Sequence, residues 1–150
     1  MRLAPAISAL ACAWGAFAAA AVAAPAAGPP DAGSAAPPAA WVDAPVGDRW
    51  LGYSTYCWTT MCADYINPEM RTDLPKIAVK RGQVVRFELG FAPKTLSLQV
   101  GTRTYRLTPR QSAAWRVKGK GGVLVLFATA EGGDASYVAK LRVKAATRPS

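Results

Sequence analysis

The chain has 150 residues, eighteen Lys and Arg against nine Asp and Glu, a formal charge of +9 and no histidine. That length is the natural content of one domain. The missing histidine excludes Ser-His-Asp and Cys-His catalysis and removes the commonest ligand of copper(II) and catalytic zinc sites.

After Met1 and Arg2, "LAPAISALACAWGAFAAAAVAA" runs without a charge and ends in small residues. A basic start, an apolar run and an A-x-A site mark a secretory signal peptide. Residues 1–23 are expected to leave, with the cut at "AVA" (Ala21 to Ala23) or as late as Ala27. Two rivals carry less weight. The run is long enough to span a bilayer, but alanine inserts weakly. "ALAC" around Cys12 resembles a lipobox, yet Ala9 stands where an aliphatic residue is wanted and the apolar run continues past the cysteine.

Residues 24–45 are alanine, proline and glycine with almost no large apolar side chain before Trp41. Such a segment buries too little surface to offset its ordering entropy, so it reads as a disordered, extended linker. A domain is expected over 46–146 and a disordered tail over 147–150.

Within the domain the apolar pattern has period two. In "VVRFELGF", Val85, Phe87, Leu89 and Phe91 share one face and Arg86 and Glu88 the other. "TLSLQV" turns Leu96, Leu98 and Val100 inward, "GTRT" reads as a turn, and Tyr105 and Leu107 follow on a return strand. Val123 to Phe127 is continuously apolar, the mark of a central strand covered on both faces. After the glycine-rich turn "EGGDAS", "YVAKLRV" sends Tyr137, Ala139, Leu141 and Val143 inward and Lys140, Arg142 and Lys144 outward. No segment carries a helical stripe. Short strands between Gly, Pro and Asn turns predict an all-β, antiparallel β-sandwich of about seven strands, immunoglobulin-like in outline.

"YCWTTMC" holds Cys57 and Cys62. On one straight strand the two would stand about 16 Å apart, whereas a disulfide needs Cα atoms about 4.4–6.8 Å apart. A bridge therefore requires the chain to reverse, and a four-residue hairpin loop through "WTTM" does so. Paired cysteines in an exported chain usually bond, so a structural Cys57–Cys62 disulfide is the leading reading. Two alternatives stay open. A thiol-redox pair would want an electropositive, helix-N-terminal setting, and here Asp64 follows two residues on. A soft-metal site for Cu(I) would use Cys57, Met61 and Cys62, with Met70 not far along.

"YCWTTMCADYINPE" (Tyr56 to Glu69), "VKRGQVVRFEL" (Val79 to Leu89) and "GDASYVAKLRV" (Gly133 to Val143) resemble small exported bacterial domains. Those domains have a Tyr-Cys-Trp…Cys-x-Asp opening and a closing Gly-Asp-x-Ser-Tyr strand. The resemblance spans most of Trp50 to Val143 and implies an immunoglobulin-like sandwich in the cell envelope, with no reaction attached. "KRG" (Lys80 to Gly82) departs from the Pro-Gly such a turn would carry. The resemblance draws attention to Asp64 and Asp134, whose plainer role is turn and cap hydrogen bonding.

There is no G-x-S-x-G, S-x-x-K or P-loop. "GKGG" (Gly119 to Gly122) is too short for a phosphate cradle, and Asp64, Glu69 and Asp73 read as a solvated loop rather than a glycosidase pair. A non-enzyme without a cofactor is expected. The charge is uneven. Residues 71–150 hold sixteen cations against four acids, a net +12, while residues 41–70 hold a net −3. Arg116, Lys118 and Lys120 alternate with apolar neighbours, as do Lys140, Arg142 and Lys144. If the two strands share a sheet, these rows form one basic face. Such a face attracts anionic polymers through salt-screened fields. Cations on a terminal strand also guard a sheet edge, and net charge keeps a protein soluble. The expected protein is an exported, non-catalytic binding or structural module, periplasmic, envelope-bound or extracellular. Its candidate partners are an anionic envelope polymer, a membrane surface or an envelope protein, and not nucleic acid.

Overall fold

The computed structural model describes residues 23–44, 49–146 and 148. The signal peptide read at 1–23, with Cys12, lies outside the described residues but for Ala23, and so does the tail at 147–150 but for Arg148.

Among the described residues, eleven strands and one 3-10 turn make up the regular structure. The strands are β1 (Trp41–Asp43), β2 (Arg49–Trp50), β3 (Gly52–Trp58), β4 (Met61–Ala63), β5 (Lys76–Lys80), β6 (Val84–Glu88), β7 (Thr95–Val100), β8 (Arg103–Arg106), β9 (Ser112–Arg116), β10 (Gly121–Ala130) and β11 (Gly133–Lys144). Two sheets pack face to face as a β-sandwich. One has the order β2-β1-β6-β9, and the other runs β4-β3-β11-β10-β7-β8. The long hairpin of β10 and β11 organises the larger sheet, pairing in register from Gly121↔Arg142 to Ala130↔Gly133.

The period-two pattern maps onto the core. Val85, Phe87 and Leu89 of the β6 segment, Leu96, Leu98 and Val100 of β7, and Tyr137, Ala139 and Leu141 of β11 are all buried. Each such Val, Leu or Phe contributes about 1.5–3 kcal/mol of transfer free energy. Phe91, Tyr105 and Val143 are half-buried at its margin. β10 is central, between β7 and β11, but it is not covered on both faces along its length. Val123 and Leu124 are buried, whereas Phe127 is 38% exposed on the outer face.

Three expectations need correction. The described residues hold eleven strands where about seven were expected, and three of them, β1, β2 and β4, are only two or three residues long. The larger sheet is also not wholly antiparallel. β11 shares one edge between two partners, β3 running antiparallel along its first half and β5 running parallel along its second. The chain between the parallel strands β5 and β11, from Arg81 to Gly132, passes through β6 to β10 and so far exceeds the dozen or so residues a parallel crossover requires.

The third correction concerns the linker read over 24–45. Residues 24–36 carry no strand, but Pro37, Ala40, Trp41, Val42 and Ala44 are buried. β1 pairs with β6, Trp41↔Glu88 to Asp43↔Arg86. The backbone N–H of Leu51 donates to the Ala40 carbonyl at 2.9 Å. Two buried phenols hold the stretch before β1. The Tyr53 hydroxyl donates to the Pro37 carbonyl at 2.8 Å and the Tyr137 hydroxyl to the Pro38 carbonyl at 2.6 Å. A buried hydroxyl needs a partner, and proline, which has no N–H to satisfy, supplies only the acceptor. The buried, hydrogen-bonded structure therefore reaches back at least to Pro37, and Ala32 and Ala36 also pack against the core.

Candidate functional site

Cys57 and Cys62 are directly opposite on β3 and β4, and they are bonded, with Cα atoms 4.0 Å apart. The reversal is tighter than a four-residue loop. Trp58 pairs with Met61, leaving Thr59 and Thr60 as the turn, with Thr59 at φ 51°. The Thr59 N–H donates to the Gly132 carbonyl at 2.7 Å, and the Trp58 ring packs on Phe91 at 4.9 Å. The β10–β11 turn thus braces the hairpin. Gly133, at φ 137°, lies against it so closely that a Cβ there would collide with the Cys57 carbonyl. The disulfide joins neighbours within one sheet, not the two sheets of the immunoglobulin hallmark. Both cysteines are exposed, and Met61 beside them is 51% exposed.

Asp134 stands opposite Cys57 on β11. Neither it nor Asp64 makes a side-chain hydrogen bond among the described residues. The cap that exists belongs to Asn67, whose Oδ1 accepts from the Glu69 N–H at 3.0 Å ahead of the 3-10 turn Pro68–Met70.

The two predicted basic rows do not share a sheet. Arg116 ends β9 in the smaller sheet, with Lys118 and Lys120 in the turn that follows. Lys140, Arg142 and Lys144 lie on β11 in the larger sheet. All six are exposed. The β5–β6 turn nevertheless brings the ends of the rows together. The Arg81 N–H donates to the Lys144 carbonyl at 3.0 Å, the Gly82 N–H donates to the Val117 carbonyl at 2.9 Å, and Arg116 Nη1 donates to the Gly82 carbonyl at 2.7 Å. The cations therefore gather at one end of the sandwich instead of on one face. Sequence reasoning missed Lys76, Lys80 and Arg81 as members of this group. The alternation in "KIAVK", exposed at both lysines and buried at Ile77 and Val79, was the available signal. The parallel register sets Lys76 beside Lys140, Ala78 beside Arg142 and Lys80 beside Lys144. Glu131 and Asp134 lie at the opposite end of the β10–β11 hairpin.

Two depressions flank the segment 71–76. One, of about 390 Å³, is lined by Trp50, Tyr53, Tyr65, Asp31 and Asp73. Its wall is fixed by Arg71, whose Nε and Nη2 bond both oxygens of Asp73 at 2.9 and 2.8 Å, while Nη1 donates to the Tyr53 carbonyl. The guanidinium also sits 5.3 Å from the Tyr65 ring centre. The hydrogen bonds from Arg71 hold the Asp73 carboxyl below the ordinary carboxylate range. The other depression, of about 180 Å³, opens between Lys76, Lys140 and Arg142 on one side and Glu69, Thr72 and Leu74 on the other. Among the described residues no helix is long and apolar enough to cross a membrane. No family model, curated protein or solved structure matches this chain.

Proposed function

We propose that the chain is an exported, non-catalytic envelope module that holds anionic envelope material on its basic end. The observation that carries this reading is the position of β11. Cations on a terminal strand need no functional explanation, because they guard an edge. β11 is not an edge: β10 flanks it on one side, and β3 and β5 flank it on the other. Its row Lys140, Arg142, Lys144 is therefore unexplained by edge protection. The register then places lysine directly beside lysine twice. Like charges directly opposite destabilise an antiparallel pair, and the same repulsion acts at parallel-strand spacing. Local choices that work against folding are expected where a partner compensates. The signal-like N-terminus and the disulfide support export.

Reversing Lys140, Arg142 and Lys144 to glutamate should abolish retention on envelope fractions, and retention of the unaltered protein should weaken as salt rises. Retention that survives the triple reversal would remove the basic end from the account.

A second reading rests on the exposure of the disulfide. Once reduced, Cys57 and Cys62 with Met61 offer soft donors to Cu(I) or a thiol pair to exchange. It requires Cys57→Ser to remove copper binding or exchange while leaving the fold intact. A pair that stays oxidised in protein taken from its own envelope argues against it.

A further inference from the structure

The depression between β5, β11 and the 3-10 turn differs from the rest of the basic end. Elsewhere the cations stand on open surface. Here Lys76, Lys140 and Arg142 surround a concavity of about 180 Å³. Its apolar floor includes Val123 and Leu74, 6% and 8% exposed, which pack with the fully buried Val138.

The strand geometry fixes the spacing of the cations. Lys76 and Lys140 are register partners, so their Cα atoms are about 4.8 Å apart. Arg142 follows Lys140 on the same face, about 6.6 Å along the strand. All three charges thus originate within roughly one Debye length of each other at physiological salt. Among the described residues none of the three is in an ion pair. Arg71, at the edge of the depression, is already held by Asp73, and Glu69 is the one carboxylate in the lining. The lining therefore keeps a net charge of two positive units. The volume matches about six waters, room for one compact oxyanion with the carbon that bears it. A planar guanidinium beside two ammonium groups suits a phosphate, which takes both a fork and point charges. The apolar floor lowers the local dielectric and strengthens each of those contacts.

We propose that this depression is a phosphate-group subsite, with Lys76, Lys140 and Arg142 as its ligands. The proposal rests on the basic-end reading above and names the group that the end recognises. The phosphate can be free or carried on a lipid headgroup, and the test separates the two.

Inorganic phosphate is titrated into the ¹⁵N-labelled mature protein at constant ionic strength, with Lys140→Gln and Lys120→Gln in parallel. Lys120 lies on the basic end but outside the depression. Saturable shifts confined to residues 74–76, 123 and 140–142 are expected. The apparent Kd should rise at least tenfold in Lys140→Gln and stay unchanged in Lys120→Gln. Co-sedimentation with phosphatidylcholine vesicles, with and without phosphatidylglycerol, gives the source. Loss of phosphatidylglycerol-dependent binding in Lys140→Gln identifies a headgroup, and phosphate binding without vesicle binding identifies a free phosphate group. Non-saturable shifts, or equal weakening by the two variants, would overturn the subsite. If that happens while the triple charge reversal still abolishes envelope retention, the basic-end reading stands without a pocket. If phosphate binds as expected while the triple reversal leaves retention intact, the subsite stands and the envelope reading falls.

Discussion

Replacing Tyr137 with phenylalanine should destabilise the protein by about 1–2 kcal/mol by releasing the strap that precedes β1. Tyr137 has no exposed surface, and its hydroxyl reaches Pro38, 99 residues earlier, at 2.6 Å. Losing a neutral hydrogen bond costs about 1 kcal/mol net, and a buried acceptor left without a donor costs about 1–3 kcal/mol. Pro38 is itself exposed, so water can reach its carbonyl and the cost belongs to the lower part of that range. For a domain of this size the melting point should fall by at least about 4 °C. Tyr53→Phe removes the parallel bond to Pro37. The two rings lie 5.7 Å apart and hold one strap, so the double variant should cost less than the sum by more than about 0.5 kcal/mol.

The assay is urea unfolding with an unchanged m-value, together with amide exchange at Val42 and Phe87, where β1 meets β6. The pH dependence adds a second readout. Burial, and then the neighbouring Tyr53, push the Tyr137 phenol well above its ordinary value of about 10. Above that pH the unfolded phenol releases its proton while the folded one keeps it. Its contribution is therefore whole below about pH 10 and falls as pH rises further. Tyr137→Phe should remove one proton's worth of that alkaline slope. A change below about 0.5 kcal/mol with protection at Val42 intact would mean that the phenols do not hold the strap.

Two further outcomes concern the hairpin. Replacing both Cys57 and Cys62 with serine opens a six-residue loop, and the chain-entropy estimate for that is about 2 kcal/mol. A lower urea midpoint with the sheet spectrum retained is expected, and loss of the fold would show that the bond does more than close a short loop. Gly133→Ala should cost at least about 3 kcal/mol, because it adds a strained left-handed residue and a collision with the Cys57 carbonyl. A variant as stable as the parent by thermal unfolding would show that the β10–β11 turn can shift away from the hairpin.

Local pattern made the strands legible, because a half-buried strand writes its inward residues at every second position. Val85, Phe87 and Leu89, or Leu96, Leu98 and Val100, needed nothing else. The strap before β1 was illegible for the opposite reason. "AAPPAA" has the composition of a linker, and what orders it is a pair of hydroxyls on Tyr53 and Tyr137, far along the chain. The adjacent Trp41 and Val42 were the one local hint.

The same limit applies to the candidate site. The outward row on β11 could be read from its alternation, but its meaning depended on what lies on either side of that strand. Read alone, a closing strand with three cations is an edge that repels other chains. Set between β10 and β5, it cannot serve that purpose; β5, with β11 as its one partner among the described residues, is the edge there, and its in-register lysines add their charge to the row. The β9 row lacks that second layer. β6 is its partner, and Arg116 stands opposite Val84. Its cations therefore carry the bland explanation of solvated charge more easily than those of β11, and an effect of charge removal confined to the β11 and β5 residues is the outcome this contrast requires.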